Sequence, residues 1–117
     1  MISRLACQVL QAGLDDWVPF AAVVGLAQRL GARGEPEAIE DGIATIRELI
    51  SHGLVVVGEV SDGGFFESSE SLDATLARVE SVSRAINRSD WGFACWLQNT
   101  STGDAQARAA GTGPMTG

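Results

Sequence analysis

The stretch Thr45–Val60, TIRELISHGLVVVGEV, decides how this chain is read. Up to Ile50 its apolar residues keep helical spacing. After Gly53 a β-branched run begins at once, so a helix ends at the His-Gly pair and a strand follows it directly. Read backward, Ile39, Ile43, Ile46, Leu49 and Ile50 fall at i, i+4, i+7, i+10 and i+11, the stripe of a helix packed on one face. Pro36 suits the first turn of that helix, where its missing N–H is not needed. His52, the single histidine, stands in the last turn, where a cation interacts favourably with the helix dipole; a C-terminal cap accounts for it without catalysis.

Outward from this stretch the chain alternates short elements. Ile2–Gln11 carries a helical stripe at Ile2, Leu5, Ala6, Val9 and Leu10, closed by Gly13. In DDWVPF, residues 15–20, Pro19 pushes Val18 out of the α region, which predicts a bridge or short strand at Trp17–Val18. Phe20, Val23, Val24, Ala27 and Leu30 give a second helix, stopped by Gly31. After the strand LVVVGEVS, the DGG of residues 62–64 makes a turn or bend, and FFESSES is expected to leave the sheet. Leu72, Leu76, Val79, Val82 and Ile86 predict a fourth amphipathic helix capped by Ser69 or Ser71. WGFACWLQNT, residues 91–100, reads as a second strand, with Trp91, Phe93, Cys95 and Leu97 on one face and Trp96 on the other. A single domain over 1–98 is expected, followed by a flexible tail over 99–117 in which a short Ala-rich stretch offers at most a helical turn.

Composition bounds the class. A chain of 117 residues has room for one core, and 45% hydrophobic with 20% charged residues fits a folded domain rather than a disordered one. No signal-peptide pattern and no run of roughly 20 apolar residues is present, so a cytoplasmic protein without membrane contact is expected. Cys7 and Cys95 lack any metal-ligand spacing and read as buried free thiols.

The order helix, short extended segment, helix, turn, helix, strand, strand, with LISHGLVVVGEV at its centre, resembles the winged helix-turn-helix family. The resemblance covers residues 2–60, with WGFACWLQNT as the returning wing strand. It implies an α+β fold with three N-terminal helices and a small antiparallel sheet, into which the fourth helix is inserted. The chain departs from the family in one respect: some thirty residues separate the two predicted strands, where the family has a tight hairpin.

By that resemblance Glu35–His52 would enter the DNA major groove. Its outward face, with Glu37, Glu40, Asp41, Thr45, Arg47, Glu48 and Ser51, is mainly acidic. Residues 35–73 hold ten of the chain's acidic groups against one Arg, while the flanking thirds are each +1 and the whole chain is −7. Phosphate binding draws on Lys and Arg, and the chain has no Lys at all, so reading DNA through this face is disfavoured. An acidic face often serves only solubility. It also steers association with a cationic protein, and a non-enzymatic binding domain is the expected role, such as an inhibitor or immunity protein for a basic, nucleic-acid-directed toxin, or a self-associating domain. The expected contact set is Glu37, Glu40, Asp41 and Glu48 with the loop residues Asp62, Phe65, Phe66, Glu67 and Glu70. The alternative is a dimeric regulator that contacts DNA through arginines outside the third helix, among them Arg78, Arg84 and Arg88.

No pattern of catalysis emerges. A phosphate loop needs a lysine that the chain lacks. Ser68, Ser69 and Ser71 stand near acids instead of a histidine base. Asp15–Asp16 reads as a turn or cap, and Glu37, Glu40 and Asp41 come without the loop spacing of a calcium site. No enzyme, cofactor or metal is expected.

Overall fold

A computed structural model describes residues 2–84 and 95–111. It is an α+β fold in the order α1 (Arg4–Ala12), β1 (Val18–Pro19), α2 (Phe20–Arg29), α3 (Glu35–Ser51), β2 (Val55–Ser61), β3 (Gly64–Glu67), α4 (Leu72–Arg84), β4 (Trp96–Asn99) and α5 (Ser101–Gly111). The strands form one antiparallel sheet in the order β1-β4-β2-β3.

The passage from α3 to β2 follows from one glycine. Gly53 sits at φ 69°, a left-handed conformation that costs a glycine nothing. The Leu54 N–H donates to the Leu49 carbonyl at 2.9 Å and the Gly53 N–H to that of Ile50 at 3.0 Å, which closes the helix with a Schellman motif and aims the chain into β2. His52 adds a contact of 2.8 Å between Nδ1 and the Glu48 carbonyl. Ser3 caps α1, its Oγ accepting from the Ala6 N–H at 3.2 Å.

The core lies between the helices and the inner face of the sheet. Val18, Leu97 and Val57 stand side by side across β1, β4 and β2 and are all buried. Ala6, Val9 and Leu10 from α1, Phe20, Val23, Val24 and Ala27 from α2, and Ile39, Ile46 and Leu49 from α3 pack on this row. Leu76 and Val79 of α4 and Ala107 of α5 complete one continuous cluster. Burying this aliphatic surface is the main favourable term of the fold.

Four expectations are corrected. FFESSES does not leave the sheet: Gly64–Glu67 pairs with β2 in the register Gly58↔Glu67 to Ser61↔Gly64, and Ser68 prolongs the pairing by donating its N–H to the Val57 carbonyl at 2.9 Å. A tight hairpin therefore does follow α3, and the sheet has four strands instead of a two-stranded platform, with α4 connecting β3 to β4. Where a flexible tail was expected from residue 99, Asn99 ends β4 and Ser101–Gly111 is a helix docked on α1. Thr45, expected on the outer face of α3, is 4% exposed, because the buried arc of α3 is rotated toward Ala38, Gly42 and Thr45 and leaves Ile43 and Ile50 only half-buried. Ile86, Arg88, Trp91, Phe93, Ala94 and residues 112–117, which carried other expectations, lie outside the described residues. No helix among the described residues is long and apolar enough to cross a membrane.

Candidate functional site

The sequence placed nine candidate contact residues on α3 and on the segment after β2; the fold divides them between two regions. Glu37, Asp41 and Glu48 line one cleft of about 500 Å³, bounded by the start of α1, the end of α2 and the outer side of α3. Its apolar surface comes from Leu5, Ala27, Leu30, Ala32 and Ala44, and Ser3, Arg4 and Thr45 complete it. Glu40 does not line this cleft. It shares a stripe of α3 with Arg47, seven residues on, at the side where α4 packs.

The charges in the cleft are not equivalent. Glu48 is committed to the fold, since one carboxylate oxygen accepts from the Ser3 N–H at 2.6 Å and the other from the Ser3 Oγ at 2.9 Å, binding α3 to the N-terminus of α1. A carboxylate at that position also complements the helix dipole of α1. Glu37 accepts from the Arg33 N–H at 2.7 Å and so fixes the turn that enters α3. Asp41, one turn on, is exposed and makes no hydrogen bond among the described residues. One turn further, Thr45 is 4% exposed, yet its hydroxyl makes no hydrogen bond among the described residues. Its open side is the cleft, where solvent reaches the hydroxyl oxygen.

The single arginine of α3 is turned away from the cleft. Arg47 pairs with Asp73 at 2.7 Å and ties α3 to the first turn of α4. Both side chains are largely exposed, so the pair adds little stability. Its effect is on the field: nothing from α3 itself neutralises Glu37 and Asp41.

The second region is formed by the hairpin and the start of α4. Phe66, Glu67 and Glu70 border a smaller hollow of about 220 Å³ with Glu59, Ser68, Ser69 and Arg78. Asp62 stands exposed at the hairpin tip. Adjacent Phe65 and Phe66 point to opposite faces, as in any strand: Phe65 stacks on Trp17 with ring centroids 6.2 Å apart, while Phe66 is 53% exposed. Glu70 accepts from Arg78 at 3.2 Å and from the buried Thr75 hydroxyl at 3.3 Å, so its carboxylate is engaged by neighbours while staying exposed to solvent.

The remaining reactive groups behave structurally. Burial pushes the Cys95 thiol from 9.0 up to about 12, against a smaller opposing pull from the Arg78 guanidinium. A thiol of this kind is not a nucleophile at neutral pH. Asp16 accepts from the Trp17 N–H at 2.7 Å within its turn. Among the described residues no group of three or more His, Cys, Asp and Glu is arranged to hold a metal ion.

Arg4, Leu5, Leu30 and Thr45 were not singled out by the sequence as site residues. For Thr45 a signal existed, because Glu37, Asp41 and Thr45 are spaced i, i+4, i+8 and must share a stripe. Arg4, Leu5 and Leu30 reach the cleft only through the packing of α1 and α2 on α3, which no local pattern encodes. Comparison of the chain with protein-family models, with curated proteins and with solved structures finds no match.

Proposed function

We propose that this chain is a non-enzymatic binding domain of winged-helix-like build that meets a cationic protein partner through the α1–α2–α3 cleft. The observation that carries the reading is the pairing of free acidity with apolar lining: Asp41 and Glu37 stand over Leu5, Ala27, Leu30 and Ala44, with Arg47 diverted to Asp73. Complementary charge gives such a surface a fast, salt-sensitive association, and the apolar lining supplies area to bury. The winged-helix-like reading is supported by the element order, by β1 pairing with β4 beside β2, and by the hairpin that follows α3.

An inhibitor or immunity protein that covers the basic groove of a nucleic-acid-directed toxin is the biological role that fits this charge best. The alternative of a DNA-binding regulator working through α4 is weakened by Arg78, which is engaged with Glu70.

The test is capture of partners from the host lysate after nuclease treatment, comparing the natural chain with a Glu37→Gln/Asp41→Gln variant. Glu48 is left intact because it holds α1. The expected result is a basic protein retained by the natural chain, with an on-rate that falls in the variant and with added salt. Loss of all captured protein on nuclease treatment would refute the reading and favour nucleic acid.

A further inference from the structure

We infer that β3 is a self-pairing edge: two copies of the chain join antiparallel through Gly64–Glu67 about a two-fold axis at Phe66, so that the sheet of one continues into the sheet of the other. The α1–α2–α3 cleft shares no residue with this edge, so the pairing goes beyond the cationic-partner reading and stands apart from it. β3 is the outermost strand of the sheet. The Ser68 N–H donates to the Val57 carbonyl at 2.9 Å, so by alternation Gly64, Phe66 and Ser68 spend their backbone groups on β2. Phe65 and Glu67 turn theirs outward, where they make no hydrogen bond among the described residues. Such an edge is a template for another strand, and proteins usually blunt it with lysine or proline. Gly64–Glu67 carries neither. Phe66 stands in the middle of this open stretch, 53% exposed, and is the one large hydrophobic side chain that is exposed among the described residues.

The occupant is a second copy because the strand complements itself. In antiparallel pairing, outward residues must face outward residues, which allows a two-fold axis at Phe65, Phe66 or Glu67. An axis at Glu67 sets two carboxylates directly opposite each other, which is destabilising. An axis at Phe65 bonds Phe65 only to its own copy, because Glu67 then falls against the partner's Gly63 in the hairpin turn. An axis at Phe66 pairs Phe65 with the partner's Glu67 and Glu67 with the partner's Phe65, four hydrogen bonds in all, and sets no carboxylate of the strand against another. It also makes Phe66 and the partner's Phe66 a non-hydrogen-bonded pair, the kind whose side chains stand closest, and aromatic pairs across strands are stabilising. The hollow of about 220 Å³ that borders Phe66, with Glu59 and Arg78 in its wall, gives the two rings room. The interface is small and each chain carries −7, with Asp62 and Glu70 near the edge, so the pairing is weak and tightens as salt screens the repulsion. A cationic partner on the cleft responds to salt in the opposite sense.

The experiment is sedimentation equilibrium of the full chain into the millimolar range, beside a dilution series of nitrogen-15 spectra. Expected are a monomer–dimer equilibrium that tightens several-fold from low to high salt, and concentration-dependent shifts centred on residues 64–68 while residues 37–48 stay still. Glu67→Pro removes an outward N–H and leaves the β2 ladder intact, and Phe66→Glu sets like charges opposite each other at an exposed position. Both should keep the circular dichroism of the natural chain and weaken dimerisation roughly tenfold or more; if proline disturbs the strand, Phe66→Glu alone decides. The register is read from Phe66→Cys in a Cys7→Ser background, with Cys95 buried. Its paired Cα atoms, about 4.5 Å apart, fall within disulfide range, so oxidation should give a covalent dimer, whereas Glu67→Cys, facing the partner's Phe65, should give none. A chain that stays monomeric at millimolar concentration, dimers that the variants leave unweakened, or crosslinking through Glu67→Cys in place of Phe66→Cys would each overturn the self-pairing edge. None of these results touches the capture of a cationic partner by the cleft.

Discussion

Gly103 and Gly25 both lie inside helices, and replacing each with alanine should move stability in opposite directions. In an open helix the change is favourable by about 0.5–1 kcal/mol, because alanine loses less conformational freedom on folding. At Gly25 of α2 a Cβ meets no heavy atom within 4 Å, so the propensity gain stands alone. At Gly103 of α5 a Cβ would lie 2.0 Å from the Leu54 carbonyl oxygen and 3.3 Å from the Leu10 Cδ2. That carbonyl cannot swing aside freely, since it accepts from the Thr100 N–H at 3.0 Å. To reach an ordinary contact of 3.4 Å the helix must withdraw by roughly 1.4 Å, loosening the packing of Ala107 and the bonds of Asn99 to Leu10 and Asp104. Overpacking against backbone costs about 1–3 kcal/mol, and a strained hydrogen bond about 1 more. Set against the propensity gain, Gly103→Ala should lose about 2 kcal/mol net, or about 6–10 °C in Tm for a domain of this size. Gly25→Ala should gain about 2–5 °C. Thermal unfolding followed by circular dichroism measures both. A Gly103→Ala variant melting at or above the natural chain would refute the docking of α5 against Leu54.

Ile46→Asp puts an unpaired carboxylate where the side chain is fully buried and should cost more than about 4 kcal/mol, leaving no cooperative transition in urea; a folded variant would show that α3 is turned differently. Cys95 gives a pH dependence with a definite sign. Its folded-state value is raised from 9.0 to about 12, so the stability held by the neutral thiol is complete below about 9 and is lost as pH rises toward 12. Urea midpoints should fall over that window and fall less steeply for Cys95→Ala, and iodoacetamide near pH 9 should leave Cys95 unmodified until the chain is unfolded; equal slopes for the two proteins would refute the assignment.

What the sequence disclosed depended on whether the signal was local. The α3 helix, the His-Gly break and the pre-proline extended residue Val18 all carry their cause within a few residues and stand where the pattern placed them, although α3 is rotated so that Ile43 and Ile50 are only half-buried. β3 escaped because it is an edge strand outside the helix layer: its two phenylalanines are adjacent, one stacked on Trp17 and the other exposed, so no polar-apolar alternation marked it. α5 escaped because, among the residues whose burial is described, it contributes one buried aliphatic group, Ala107, and it is held by a close glycine approach and by Asn99 reaching Leu10, eighty-nine residues away in sequence. A local sign was present, since Thr100 caps the helix by accepting from the Gly103 N–H at 3.0 Å. For the candidate site the charge of α3 was legible, but the division of labour within it was not. That Glu48 holds Ser3 while Asp41 stays open follows only from where α1 lies.

The position of β4 bears on how the molecule is made. Of the four described strands it is the last to be synthesised, yet it lies between β1 and β2, joining Val18 to Leu97 across seventy-nine residues of chain. Until residues 96–99 leave the ribosome, the flanks of β1 and β2 that will receive it have no permanent neighbour, and the hairpin of β2 with β3 is the longest sheet pairing the nascent chain can form. Closure across so long a loop makes a high contact order and a slow final step. A chain released at Arg84 would therefore hold three strands and four helices without the one element that joins them, and should be a substrate for proteases and chaperones instead of a smaller working domain.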